Sequence, residues 1–207
     1  PQPVKALRHD GQITIATGRS RKEVRWKNQT LLWSELLKKL SQTVRTSETV
    51  QEYKKSPKSE RDRLKDIGGF VGGTLKEGRR KAESVAWRSI ITLDADYAQP
   101  DFWSNFTMFF DYAAAVYSTH SHTPESPRVR LLIPLSRQVT PDEYQAVARM
   151  VAYDIGIDQF DDSTYEPSRL MYWPSTCSDG EYIFRYQDGP WLDPDEILHR
   201  SDDWTDT

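Results

Sequence analysis

Apolar positions along the 207-residue chain follow two periods, and the switching between them predicts an alternation of strands and helices. Ile13 to Ala16 reads as a short strand running into the polar turn Thr17-Gly18-Arg19-Ser20. Leu32, Leu36, Leu37, Leu40 and Val44 recur at helical spacing, so an amphipathic helix is expected over roughly 30–44. Residues 46–66 are charged with sparse apolar positions and read as exposed helical or irregular structure around Pro57. The run Gly68-Gly69-Phe70-Val71-Gly72-Gly73 reads as a flexible break, and it lacks the Gly-Lys-Ser/Thr ending of an ATP-cradling loop.

The second half is more regular. Val85 to Leu93 is expected as a strand ending at Asp94-Ala95-Asp96, followed by an aromatic-rich helix over 101–112 and a strand from Ala113 to Ser118. Val129 to Ile133 is another strand, flanked by Arg128 and Pro134. Thr140, Pro141 and Glu143 spell a capping box ahead of a helix whose apolar face is Tyr144, Val147, Ala148 and Val151, with Gly156 as its stop. Leu170 to Trp173 and Tyr182 to Tyr186 are two further strands. The order predicts an α/β or α+β domain, with a basic lobe over 1–84, a motif-bearing part over 85–190, and an acidic tail or linker over 191–207.

Composition narrows the class. Seven Trp, ten Tyr and seven Phe with 37% hydrophobic residues argue against disorder. No apolar run nears the ~20 residues that span a bilayer, and the opening PQPVKALRHDGQ has no signal character. A cytoplasmic protein of a bacterial host cell, cut from a longer polypeptide, is the expectation. Cys177 stands alone, so it reads as a small core residue, and a cysteine cluster for zinc is absent. The net charge of −3 hides an asymmetry. Residues 1–90 hold 21 Lys/Arg against 10 acids, while residues 91–207 hold 7 Arg against 21 acids. A basic half can meet phosphates while an acidic half holds cations.

Three short clusters carry the chemistry. Asp94 and Asp96 sit at i and i+2 at a strand end, which places both carboxylates on one face with Cα atoms ~6.5 Å apart. That spacing suits two divalent ions ~3.5–4 Å apart, and oxygen ligands imply Mg²⁺ or Mn²⁺. Ser118, His120 and, if the strand continues, His122 share a face, and the hydroxyl and imidazole can donate to phosphate. Arg128 and Arg130 alternate onto one face of the next strand. In Phe160-Asp161-Asp162, an acid precedes Arg169, which opens another strand.

In this order, Leu93-Asp94-Ala95-Asp96, Ser118-Thr119-His120 and Phe160-Asp161 resemble the three motifs of the archaeo-eukaryotic primase superfamily. The wording from His120 to Arg130 and from Glu166 to Pro174 resembles primase-polymerase domains of phages, plasmids and genomic islands. The resemblance covers roughly 85–176. It implies the primase catalytic core, with an RRM-like antiparallel sheet beside an α/β lobe. It implies a DNA primase or polymerase with Asp94, Asp96 and Asp161 as ion ligands, Asp161 preferred over Asp162 because Phe160 precedes it. Ser118 and His120 would hold the incoming NTP or dNTP; by position and chemistry Arg128 and Arg130 join them, with Arg169 a supporting cation. Single-stranded DNA template and primer would bind through Lys and Arg of 19–27 and 76–81, and a helicase is the expected fused neighbour. Two rivals stand beside this reading. A rolling-circle nuclease would use His120 and His122 for metal with Tyr144 or Tyr153 as nucleophile; a non-catalytic module would stack bases on its aromatics.

Overall fold

The computed structural model describes residues 2–200. Two antiparallel sheets and a short parallel pair make up its strands. The larger sheet has the order β11-β7-β8-β6-β5, with β5 at Gly73–Leu75, β6 at Val85–Ala95, β7 at Ala114–Ser118, β8 at Val129–Val139 and β11 at Phe184–Gln187. The smaller has the order β2-β1-β4-β9, with β1 at Gln12–Gly18, β2 at Lys27–Leu32, β4 at Gly69–Val71 and β9 at Met171–Tyr172. The strands β3 (Val44–Arg45) and β10 (Ser175–Thr176) pair in parallel.

β6 explains why the large sheet is central. Its side chains are buried on both faces because each face meets a different layer. Ile91, Leu93 and Ala95 enter a core shared with α4 (Phe102–Phe109), α5 (Pro141–Ile155) and α6 (Pro194–Leu198). Ile90, with Ala115, Tyr117 and Leu132 of neighbouring strands, enters a second core closed by Ile13 and Ile15 of β1 and the apolar face of α1 (Trp33–Leu40). Burial of large side chains on both faces, at roughly 1.5–3 kcal/mol each, fixes which residues of β6 point to which layer.

The capping box is present as expected: the Thr140 hydroxyl accepts from Glu143 N at 3.2 Å while the Glu143 carboxylate accepts from Thr140 N at 2.9 Å. Elsewhere the structure differs. The helix expected over 30–44 occupies only 33–40, because residues 27–32 form a ladder with β1 from Gln12↔Leu32 to Thr17↔Lys27. The glycine run is no loose break; it supplies β4 and β5, with Gly72 alone stepping from one sheet to the other. Its glycines serve close approach: a Cβ on Gly73 would lie 2.0 Å from the Trp87 carbonyl oxygen. β8 continues through Pro134, which lies opposite Ile90 beside a register shift, a place where the missing N–H is tolerated. The charged stretch 46–66 holds two helices, α2 (Val50–Lys55) and α3 (Lys58–Lys65). The tail expected from 191 is packed in its first part, where Leu192, Ile197 and Leu198 join the helix-side core; residues 201–207, including Trp204, lie outside the described residues. Among the described residues no helix is long and apolar enough to cross a membrane.

Candidate active site

The end of β6, the end of β7, the start of β8 and the segment into β9 open onto one cavity of about 380 Å³ between the two sheets. Asp94 and Asp96 both line it. Alternation accounts for Asp94: Leu93 and Ala95 take the helix side, which leaves Asp94 for the cavity side. Asp94 is buried, and its carboxylate meets Arg130 Nε at 2.9 Å and Arg169 Nε at 3.4 Å. Asp96 pairs with Arg128 at 3.1 Å on a more open rim. Asp161 does not line the cavity but stands beside it. Its backbone N–H donates to the Asp94 carbonyl at 3.0 Å, and Arg169 bridges its side chain at 3.1 Å to that of Asp94. Asp162, by contrast, starts a 3-10 turn for which Asp161 is the cap. The three acids thus lie together, each held by an arginine.

Seven cations against three carboxylates line the cavity, so its field is positive. Arg130 is the most enclosed. Burial opposes its charge, but Tyr117 and Asp94 outweigh that and raise its pKa. Arg80 and Arg128 each present a buried Nε–H with no hydrogen-bond partner. Arg80 and Arg21 come from the segments expected to hold template backbone; the structure puts both on this cavity instead. The third carboxylate, Asp62 on α3, gathers Lys58 at 3.2 Å, Lys65 at 3.3 Å and Arg21 at 3.4 Å. Sequence reasoning missed this group; the one available signal was the spacing of Lys58, Asp62 and Lys65 on one helical face.

Ser118 lines the cavity, and its hydroxyl oxygen accepts from Ile183 N at 2.8 Å, leaving its own O–H to donate. His120 stands on the same wall. Its ring lines the cavity, but Nδ1 meets Ser175 Oγ at 2.8 Å and Nε2 meets the Glu48 carboxylate at 2.6 Å. Both nitrogens are engaged within the protein, by a hydroxyl on one side and a carboxylate on the other. Burial lowers its pKa, against the opposing pull of Glu48. His122 Nδ1 accepts from Arg128 N at 3.1 Å while Nε2 faces Glu181 at 3.0 Å. The two histidines therefore serve different partners, and a shared His-x-His metal site is not formed. Tyr144 is fully buried with its hydroxyl at Thr92, and Tyr153 is exposed on α5.

The acid set suits a hard divalent cation in kind, since carboxylate oxygens are the ligands Mg²⁺ and Mn²⁺ prefer. Asp94 and Asp96 share the cavity and Asp161 abuts Asp94, while their arginine partners already supply the positive charge that carboxylates so close together require. The acids do not themselves crowd into a single-ion cluster; among the described residues, the one such group is Glu48, His120 and Cys177.

This arrangement sits on a known scaffold. The chain has the α/β fold of an archaeo-eukaryotic primase (AEP) domain. It matches the AEP domain of the cyanophage S-2L primase-polymerase with a TM-score of 0.50 at 12% identity, over 91% of this chain and 88% of that one. A family model for the VapE N-terminal domain matches residues 2–207, and the chain belongs to that family. No curated protein matches it.

Proposed function

We propose that this domain is a template-directed nucleotidyltransferase, a DNA primase-polymerase that extends strands from NTPs or dNTPs. The observation that carries the reading is the pairing, in one cavity, of two strand-end carboxylates with two buried guanidinium N–H groups that have no protein partner. Buried donors are rarely left unpaired, and a polyanion such as a triphosphate tail, whose oxygens a planar guanidinium can meet in pairs, would satisfy them. Arg80, Arg128 and the Asp62-anchored Lys58 and Lys65 would hold that tail, with Ser118 Oγ–H a further donor. Arg130 and Arg169 orient the acids, so a phosphate entering the cavity competes with Asp94 and Asp161 for them.

Asp94, Asp96 and Asp161 are the residues that would hold Mg²⁺ or Mn²⁺, whose charge would sharpen the primer 3′-hydroxyl as a nucleophile and offset that of the departing pyrophosphate. Single-stranded template and primer would lie along a second groove. Arg19, Arg25, Lys27 and Lys39 line it beside Trp173, with Lys39 Nζ 3.9 Å from that ring's centroid. Such a surface offers backbone contacts and one stacking platform. A catalytic unit over 1–190 and a fused helicase complete the proposal. The rolling-circle alternative loses support from the separate engagement of His120 and His122 and from the buried Tyr144.

The test is extension of a primed and an unprimed single-stranded template with Mg²⁺ or Mn²⁺, supplying each nucleotide class separately. Metal-dependent, template-matched incorporation by the wild type that disappears in Asp96→Asn is expected. No incorporation under any of these conditions, or undiminished incorporation by the variant, would overturn the assignment.

A further inference from the structure

A second cavity, of about 270 Å³, lies against the first. His120, Ser121 and Arg128 line both, so the two share a wall. Val50, Tyr53 and Lys54 contribute one face of α2, at i, i+3 and i+4. Arg61 enters from α3, and Thr123 and Ser126 from the turn between β7 and β8. No carboxylate lines this cavity. Cys177 adds no negative charge at neutral pH, because burial pushes its thiol up to about 12.

Its polar groups are donors without acceptors. On α3, Lys58, Arg63 and Lys65 each pair with an acid, whereas Arg61 has no ion-pair partner among the described residues. The buried Nε–H of Arg61 has no hydrogen-bond partner either. The Tyr53 oxygen accepts from Ser121 Oγ at 3.2 Å, which leaves the phenolic O–H to donate. Burial raises the Tyr53 pKa and keeps that proton in place, against the opposing pull of Ser121, Arg61 and Arg128. Thr123 Oγ1 accepts from Ser126 N at 3.1 Å, and its own O–H is likewise left over. Enclosed donors and cations of this kind are costly until an anion meets them.

We infer that this cavity is a second phosphate site, which receives the departing pyrophosphate; that role rests on the nucleotidyl-transfer reading, whereas the binding itself does not. Phosphate oxygens only accept and carry negative charge, so they complement a lining of donors and cations that contains no acid. Arg61 and Arg128 would meet them as planar forks, Lys54 as a point charge, and Tyr53 and Thr123 through their hydroxyls. A divalent cation finds no carboxylate here, and a carboxylate ligand, with two oxygens, would leave more of the donors unpaired. Arg128 stands on the common wall, where an anion leaving the nucleotide cavity would be passed on.

The probe is inorganic pyrophosphate, with inorganic phosphate as the second arm, titrated into the metal-free, isotope-labelled chain and followed by amide resonances. Thr123 and Ser126 report on this cavity, and Ser118 and Arg169 on the larger one. We expect a saturable shift at Thr123 and Ser126, with pyrophosphate about tenfold or more tighter than phosphate. Arg61→Gln should weaken that binding about tenfold or more, and Lys54→Gln, on the other helix, should weaken it less, while the shifts at Ser118 and Arg169 persist. No saturable shift at Thr123 and Ser126 in the wild type overturns the inference whether or not the variants fold. So does binding at these amides that is unchanged in both variants. Equal affinity for the two anions overturns the pyrophosphate assignment. A chain that binds pyrophosphate here but incorporates no nucleotide upholds the site and refutes the nucleotidyl-transfer reading alone.

Discussion

Asp94 and Asp96 are two residues apart, yet their replacement should differ sharply in cost. The Asp94 side chain is 7% exposed and its partner Arg130 12% exposed, so Asp94→Asn leaves a cation enclosed with its charge uncompensated. Removing one member of a buried pair costs roughly 3–5 kcal/mol. Arg130 keeps a hydrogen bond to the Tyr172 carbonyl at 3.1 Å and lies near the Tyr117 and Tyr172 rings, which puts the expected loss at the lower end, about 3 kcal/mol. Asp96 and Arg128 are 22% and 38% exposed, and a pair so placed contributes about 0–1 kcal/mol. Urea unfolding followed by tryptophan fluorescence, in chelator so that metal occupancy does not enter, separates the two. With a slope of about 2 kcal/mol/M, the midpoint of Asp94→Asn should fall by about 1.5 M and that of Asp96→Asn by less than about 0.5 M. Both variants should lose strand extension. Equal midpoints would refute the view that Asp94 balances a buried arginine, and would return it to the status of an ordinary rim carboxylate.

Other expectations follow from the same geometry. Arg80→Ala, which removes an unpartnered buried donor from the cavity, should weaken nucleoside triphosphate affinity about tenfold or more, measured by fluorescence titration; unchanged affinity would remove Arg80 from the phosphate contacts. Arg88 is fully buried and bonds the carbonyls of Gly72, Ile90 and Pro167 and the Thr92 hydroxyl at 2.7–3.0 Å. Arg88→Leu removes a charged donor from all four, and although Gly72 keeps the N–H groups of Ser89 and Ile90 and Thr92 keeps Tyr144, each acceptor left unpaired costs roughly 1–3 kcal/mol, so a total loss under about 1 kcal/mol in urea would contradict the accounting. The Arg137 hydrogen bond holds the Glu143 carboxyl below its ordinary range. A carboxylate so depressed stabilises the fold above its unfolded pKa of 4.5 and loses that contribution as pH falls through the lower folded value. Thermal melts of Glu143→Gln should therefore lose less stability than wild type between neutral pH and about pH 3; parallel curves would exclude the linkage.

The sequence made some of this legible for identifiable reasons. The strand that runs into Asp94 and Asp96 was readable because Ile90, Ile91 and Leu93, interrupted only by the β-branched Thr92, suit a strand buried on both faces. The helix at Pro141 was readable because its cap is local chemistry. What escaped depends on distant partners. Leu31 and Leu32 fit a helical period as well as a strand, and the ladder to β1 decides between them. The glycines of 68–73 signal freedom in isolation, whereas their use here is close contact with Trp87 and Met171. His120 offers two nitrogens in sequence; only the fold brings Glu48, 72 residues away, to claim one of them.

Gly72 has a wider consequence. Its carbonyl oxygen receives Ser89 N, Ile90 N and Arg88 Nε at 2.9–3.2 Å, at the one residue where the chain leaves one sheet for the other. The crossing between the two walls, like the fold between facing pages, is thereby pinned to β6 by two main-chain donors and one guanidinium. Substrate preference in such a mould would evolve by exchanging the side chains on the pages, with the binding angle untouched, and scattering profiles with and without nucleotide should superimpose.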